Sequence, residues 1–234
     1  MKITVCKFDP SKDAAPYYIS GEVPYKDKMT ALEALVYFHE NIAAVNFDYS
    51  CACRLCGRCA MMLDGTPCMV CVTPIEDKDH TFEPLAGFNV VRDLIVDKNH
   101  YDEKLSKIFD RVRVEPFTAE TMVPKNYDDS TTHRLYTLEF CARCGVCDAA
   151  CPAKQSFPDE FIGPSGMLAI GYRHLDQLDQ GDRVMEAVSN GLYRCIMCGM
   201  CDQVCAQQDI EHMEMWKILR AAAEERGIVP SYAK

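Results

Sequence analysis

Two cysteine runs in the second half of the chain carry the strongest chemical signal. Both follow the spacing C-x2-C-x2-C-x3-C, and they span 141–151 and 195–205. Three thiolates at this spacing can reach three irons of one cubane iron–sulfur cluster, while the fourth Cys ligates a neighbouring cluster. The sequence therefore predicts a two-cluster module. Its cysteines are Cys141, Cys144, Cys147, Cys151, Cys195, Cys198, Cys201 and Cys205.

A third group of cysteines, in the first half of the chain, has a different spacing. The pattern C-x4-C-x2-C that begins at Cys51, followed by a distant Cys, is typical of plant-type [2Fe-2S] sites. Spacing alone leaves two positions open, because Cys53 competes with Cys51 and Cys68 competes with Cys71. Tetrahedral zinc is the alternative metal for such CxxC pairs. Since small thiols are often buried, we expect Cys6, Cys53 and Cys68 to be packing residues.

The composition limits the class of protein. The chain has 234 residues, of which 48% are hydrophobic and 26% charged, as in ordinary globular proteins. A formal net charge of -10 argues against a nucleic-acid partner, since phosphate binding needs a basic face. The cysteine count of 15 is odd, and the spacings are those of metal sites rather than of a disulfide framework.

The N-terminal residues and the hydropathy pattern predict a location. The start, Met1 to Val5, lacks the apolar run of a secretory signal. No stretch approaches the roughly 20 apolar residues of a membrane span. We expect a cytoplasmic chain that reaches the membrane only through partner subunits, with periplasmic export alongside a signal-bearing partner as the alternative.

The elements that must position the first cysteine group are those of a β-grasp fold. Alternating residues predict strands at 2–8 and 17–23, and the capping box Thr30–Glu33 predicts a helix that ends near Asn41. A last strand is expected within 82–98. These elements predict a plant-type ferredoxin domain of β-grasp fold over residues 1–100.

The second half reads as helical, which makes the whole chain α+β. We expect an all-α helical ferredoxin domain over residues 101–234, with an irregular connector at 116–132. The last predicted helix carries an apolar stripe that includes Met213 and Trp216, which we expect to be core rather than a cofactor contact. The predicted helices span 101–112, 159–176, 183–190 and 209–226.

Nearly the whole chain resembles the iron–sulfur subunit of succinate dehydrogenase and fumarate reductase. The resemblance rests on several motifs in the right order, which is more specific than any one cysteine pattern. They are Cys51 through Cys59, Cys71-Val-Thr-Pro-Ile, Phe82-Glu-Pro-Leu, Val91-Arg-Asp-Leu-Ile-Val-Asp97, Cys151-Pro152, Phe161-Ile-Gly-Pro-Ser-Gly166, Tyr172-Arg173 and Leu192-Tyr-Arg-Cys195.

The resemblance implies which cysteines belong together. It assigns Cys51, Cys56, Cys59 and Cys71 to a [2Fe-2S] cluster. A [4Fe-4S] cluster follows, with the ligands Cys141, Cys144, Cys147 and Cys205. The third cluster takes Cys151, Cys195, Cys198 and Cys201.

The chain departs from the family pattern at the third cluster. Most members hold a three-iron cluster there, because the residue that matches Cys198 cannot ligate. With Cys198 present, we predict a second [4Fe-4S] cluster; the alternative is a [3Fe-4S] cluster beside an inert Cys198 thiol.

A second departure concerns the electron acceptor. Members that reduce quinone carry a Trp pair after the first Cys-Pro and a His after the first Cys of the second run. The matching residues here are Gln155, Ser156 and Ile196, and Ala206 follows Cys205 in place of Pro. A standard quinone pocket is therefore not expected on this chain.

The predicted function is electron relay. No residue set has the spacing of a substrate site, so we assign no catalytic residue. We expect the scattered histidines at 39, 80, 100, 133, 174 and 212 to be surface or satisfied core residues. The resemblance implies a hetero-oligomeric succinate/fumarate oxidoreductase with an FAD-containing flavoprotein and a third subunit, either a membrane anchor or a heterodisulfide-reductase-like protein. The same relay in another flavin-dependent dehydrogenase, and a zinc-bearing structural protein, are the competing hypotheses.

Overall fold

The computed structural model describes residues 1–116, 118 and 128–233, which form two compact units. The first unit comprises Met1–Asn99 together with two segments from the second half of the chain, Ala142–Ala150 and Val204–Gln207. The second unit comprises His100–Cys141, Cys151–Gln203 and Gln208–Lys234. Whether 1–100 and 101–234 are separate domains stays a prediction.

The first unit is built on a five-stranded mixed sheet. Its strand order is β2-β1-β5-β3-β4, with β1 and β5 parallel and the other neighbours antiparallel. This is the predicted β-grasp arrangement, and with the helical second half it confirms the α+β fold class. The strands are β1 (Lys2–Lys7), β2 (Tyr17–Glu22), β3 (Ala60–Leu63), β4 (Thr66–Met69) and β5 (His80–Glu83).

One helix, α1 (Ala31–Asn41), packs in the core of this unit. Its predicted capping box is present: the Thr30 hydroxyl accepts from the Glu33 amide, and the Glu33 carboxylate accepts from the Thr30 amide at 2.7 Å. Leu35 and Phe38, three residues apart, are fully buried. This spacing places both on the helix face that meets the sheet, as the sequence pattern predicted.

The single strand expected within 82–98 is three strands. β5 joins the sheet, while β6 (Asn89–Arg92) and β7 (Ile95–Asp97) form a separate antiparallel pair. The turn between them is fixed by the buried Asp93, whose carboxylate accepts from Lys7 Nζ at 2.6 Å and from the Asn46 amide at 2.9 Å.

The second half of the chain is helical, as predicted, with shifted helix boundaries. The helix expected from 159 begins at Pro164, because Gly163 has a φ of +98° and Pro164 favours the first helical position. The helices are α2 (Asn99–Phe109), α3 (Asp129–Glu139), α4 (Val146–Ala149), α5 (Pro152–Ser156), α6 (Pro164–Leu175), α7 (Arg183–Ser189), α8 (Met200–Val204) and α9 (His212–Glu225).

The expected irregular connector is wrong at its end. α3 begins at Asp129, where the Asp128 side chain accepts from the Thr131 amide at 2.7 Å and caps the helix. Residues 117 and 119–127 of that connector lie outside the described residues.

Close packing of α6 on α9 forms the middle of the second unit. Gly171 permits this approach, since a methyl group there would lie 2.2 Å from Met215 Cγ. In the parts of the chain that the structure describes, no helix has the length and apolar character needed to cross a membrane.

Candidate metal centres

The loop from Cys51 to Cys59 wraps backbone amides around one sulfur. Cys51 Sγ accepts hydrogen bonds from the amides of Cys53 and Leu55 at 3.4 Å and of Cys56 at 3.3 Å. Two residues of the loop, Ala52 and Arg54, have φ angles of 51° and 59°. Because non-glycine residues seldom adopt this left-handed conformation, the strain is a cost of turning the amides toward the sulfur.

The amides change the acidity of Cys51. The N–H groups of Cys53 and then Cys56 lower the pKa of the Cys51 thiol to about 6. Burial has the opposite effect on Cys59, whose pKa it raises to about 12. Since a metal binds the thiolate, cluster insertion must release a proton from Cys59.

Four thiols of this group lie along one continuous set of contacts. Cys56 donates a hydrogen bond to the Cys51 sulfur, and Cys59 is hydrogen bonded to the side chain of Cys71. Cys71 follows β4 and is buried. Cys53 also donates to the Cys51 sulfur and is exposed, so the expectation that it packs in the core is wrong.

The loop that carries Cys144 and Cys147 packs directly against the first loop, within the first unit. A methyl group at Gly57 would lie 2.3 Å from the Ala142 carbonyl oxygen and 3.0 Å from Cys144 Cα. Lys98 Nζ donates to the carbonyl oxygens of Gly57 at 3.1 Å and Cys144 at 2.6 Å. A single ammonium therefore joins both loops.

The segment after Cys205 contacts the first loop as well. Gln207 Nε2 donates to the Arg54 carbonyl oxygen at 2.8 Å, and Arg54 Nη1 donates to the Ala206 carbonyl oxygen at 3.4 Å. Three of the four cysteines expected at the second cluster, namely Cys144, Cys147 and Cys205, thus belong to the first unit, while Cys141 ends a segment of the second unit.

The four remaining cysteines line one cavity in the second unit. Cys151, Cys195, Cys198 and Cys201 surround about 310 Å³ of empty space that is partly open to solvent. The rest of the lining is apolar or glycine, apart from the indole N–H of Trp216, and consists of Ala153, Phe161, Pro164, Ile196, Gly199, Met200, Met213 and Trp216.

Two of these sulfurs each accept one backbone amide. Cys151 caps α5, with its sulfur 3.4 Å from the Lys154 amide, and Cys195 Sγ lies 3.4 Å from the Met197 amide. Burial raises the pKa of the Cys195 thiol and raises that of Cys201 to about 12.

The cavity fits a cubane cluster. Its four thiols can replace four protons with four iron bonds, which removes the cost of burying thiolates. The Nε1 atom of Trp216 is buried and has no hydrogen-bond partner, as expected of a donor whose acceptor is a bound group.

The expectation for the apolar stripe of α9 is half right. Trp216 is only 1% exposed and belongs to the core, but Trp216 and Met213 also line the cavity, which is a cofactor-facing position. Arg220, one turn later, donates to the Cys195 carbonyl oxygen at 2.7 Å. Helical periodicity indicated the buried face but not what that face would contact.

Cys201 is also near a carboxylate and an imidazole. Ligand atoms of Cys201, Asp202 and His212 lie within 4.8 Å of one another. Asp202 Oδ1 already accepts from the amide of His212 at 2.6 Å and lies 3.1 Å from His212 Nδ1. These contacts fix the start of α9, and His212 is a satisfied core histidine as predicted.

Two families match the two halves of the chain. Residues 2–103 match a 2Fe-2S iron–sulfur cluster binding domain, and residues 137–208 match a 4Fe-4S dicluster domain. Both cofactor classes predicted from the cysteine spacing are thereby confirmed.

Curated relatives cover almost the whole chain. The fumarate reductase iron–sulfur subunit of Escherichia coli O6:H1 is 33% identical over 99% of this chain and 93% of its own length. An uncharacterised iron–sulfur protein of Methanocaldococcus jannaschii is 35% identical over 97% of this chain. One subunit of the fumarate reductase (CoM/CoB) of Methanothermobacter marburgensis is 30% identical over 98% of it. The chain spans only 44% and 46% of the latter two proteins.

A solved structure has the same fold. A chain of the Mycobacterium smegmatis Sdh1 complex in the apo form matches with a TM-score of 0.77 at 22% identity, and the match covers 98% of both chains.

Proposed function

Because this chain belongs to the family of fumarate reductase and succinate dehydrogenase iron–sulfur subunits, we propose that it relays electrons between a flavoprotein subunit and a third subunit. Iron–sulfur clusters supply one-electron transfer with little change in geometry. The observation that carries the proposal is the direct packing of the Gly57 loop on the Cys144 loop, which holds two cysteine groups at a fixed separation.

The ligand sets of the proposed relay are those implied by the sequence. Supporting the third set, four thiols line one apolar cavity. With Cys198 among them, this site holds a second [4Fe-4S] cluster rather than a [3Fe-4S] cluster. The proposed ligands are Cys51, Cys56, Cys59 and Cys71 for [2Fe-2S], Cys141, Cys144, Cys147 and Cys205 for [4Fe-4S], and Cys151, Cys195, Cys198 and Cys201 for the third cluster.

The proposed partner at one end is an FAD-containing flavoprotein that interconverts succinate and fumarate. At the other end we place either a membrane anchor or a heterodisulfide-reductase-like subunit. The exposed Ile196, at the rim of the third cavity, offers no hydrogen bond to a quinone carbonyl, which favours the second choice. The chain would then lie in the cytoplasm and reach the membrane through its partners.

A second candidate function keeps the relay and changes the enzyme. The M. marburgensis relative is a fumarate reductase named for CoM/CoB, and this chain covers only 46% of its length. A thiol-linked flavin-dependent dehydrogenase, with the remaining functions on other subunits, fits this likeness.

Anaerobic purification of the tagged chain with its bound partners tests the proposal. We expect a flavoprotein to co-purify and the complex to reduce fumarate with reduced viologen and to oxidise succinate with a dye. A flavin-containing complex that is inactive with both substrates but active with thiols would favour the second candidate. Turnover of a metabolite by the isolated chain would contradict the relay.

A further inference from the structure

The indole of Trp216 is a buried donor without an acceptor at the third site. Trp216 lines the four-cysteine cavity and is 1% exposed, and its Nε1 atom has no hydrogen-bond partner. A buried tryptophan normally pairs its N–H, because an unpaired donor loses the hydrogen bonds that water would supply. An acceptor that arrives with a bound group would remove this deficit.

The position of Trp216 is fixed from both ends of its part of α9. At the start, the Asp202 carboxylate accepts from the amides of His212 at 2.6 Å and Met213 at 3.3 Å. One turn after the indole, Arg220 Nη2 donates to the carbonyl oxygens of Leu192 at 3.2 Å and Cys195 at 2.7 Å. The helix is therefore tied to both sides of the second cysteine run.

The side chains that line the cavity offer only sulfur as an acceptor. They are thiols, thioethers, aliphatic groups and aromatic rings. Among them the thiols are those proposed to hold the third cluster. A cluster at this site would place thiolate and sulfide sulfurs, which are stronger acceptors than a thiol, in the cavity that the indole borders.

We propose that the Trp216 indole N–H donates a hydrogen bond to a sulfur of the third cluster and raises the reduction potential of that cluster. This inference rests on the proposed function, since it needs the cluster to be present. Reduction adds negative charge to the sulfurs, so an N–H donor stabilises the reduced form more than the oxidised form. Position 196, next to Cys195, carries Ile and supplies no donor, and α9 supplies one instead.

The first test is the variant Trp216→Phe in the full chain, because Phe keeps an aromatic ring and removes the N–H. We expect iron and sulfide content to be unchanged. The equilibrium constant for reduction of the third cluster should fall about tenfold, equivalent to ~59 mV for one electron. The first cluster should keep its potential.

The matched control is Met213→Leu, a volume-conserving change on the same helix and in the same cavity that removes no N–H. Its shift in potential should be much smaller than that of Trp216→Phe. Equal shifts in the two variants, or no shift in a fully loaded Trp216→Phe chain, would overturn the proposal.

A second readout uses the wild-type chain and does not depend on the variant folding. Trp216 is the single tryptophan of the chain, so ¹⁵N-indole labelling marks one nitrogen. Pulsed EPR of the third cluster should detect a ¹⁵N coupling and an exchangeable proton. Absence of both in a cluster-loaded chain overturns the proposal and leaves the relay intact, whereas absence of iron contradicts the relay itself.

Discussion

The first and third sites prepare their thiols in opposite ways. At the first site, three amides surround the Cys51 sulfur and lower the pKa of its thiol to about 6. At the third site, burial raises the pKa of Cys201 to about 12, and Cys195 accepts only the Met197 amide among its hydrogen bonds with described partners. Backbone amides thus stabilise charge at one end of the chain, while the other depends on the metal to do so.

This difference has a consequence for the reduction potentials. Amides that stabilise a thiolate also stabilise the extra electron of a reduced cluster, and burial alone opposes it. At the third site, the charge of Arg220, which acts to lower the pKa of Cys195, and the N–H of Trp216 offset the burial. Side chains there take the part that the backbone has at the first site.

The glycines of the two sites differ in their surroundings. Gly57 and Gly199 both follow a cysteine in a C-G-x-C segment, with φ angles of +68° and +75°. Gly57 is wedged against the Cys144 loop, whereas a methyl group at Gly199 would meet nothing within 4 Å. Local geometry demands glycine at both positions, but tertiary packing demands it only at Gly57.

The largest expected effect comes from Gly57→Ala. The new methyl group would collide with the Ala142 carbonyl oxygen and also strain the backbone, which together should cost about 3 kcal/mol and disrupt the first cluster. Gly199→Ala, the matched control, should cost only about 1 kcal/mol of strain. Iron content and thermal unfolding measure both, and equal losses in the two variants would contradict the difference in packing.

The next effect is confined to the third site. If Cys198 ligates an iron, Cys198→Ser should convert the cluster to the three-iron form, with loss of about one iron and a new EPR signal in the oxidised chain. Cys53→Ser is the matched control, since Cys53 is also exposed and lies in a cysteine loop. It should leave the iron content unchanged. An oxidised three-iron signal already present in the wild type would remove Cys198 from the ligands.

The smallest effect concerns thiol reactivity in the cluster-free chain. A lowered pKa leaves a thiolate at lower pH, so alkylation of Cys51 should rise up to about pH 6 and then stay constant. The pKa of Cys195 is raised above its ordinary value of 9.0, so its rate should still increase beyond pH 9. Peptide mapping after iodoacetamide treatment measures both rates. The same pH profile for both cysteines, as expected in the denatured chain, would contradict the two environments.

Local signals predicted the elements that local chemistry decides. The Thr30–Glu33 capping box identified α1, and Asp64-Gly65 was an available signal for the β3–β4 hairpin, since both residues adopt the positive φ of a type I′ turn. The Asp128 cap of α3 was missed because the polar residues around it favoured a connector.

Contacts distant in sequence were beyond prediction. Lys98 bonds to carbonyls 41 and 46 residues away, and no spacing rule relates these positions. Trp216 was expected in the core from helical periodicity, but its place at the third cavity depends on how α9 packs. The cysteines were found from spacing because cluster geometry itself sets that spacing.

Iron and acid-labile sulfide analysis of the anaerobically purified full chain tests the central claim most directly. Three clusters on the proposed ligands predict about ten irons and as many sulfides per chain. Far fewer irons, or zinc with little sulfide, would contradict the relay.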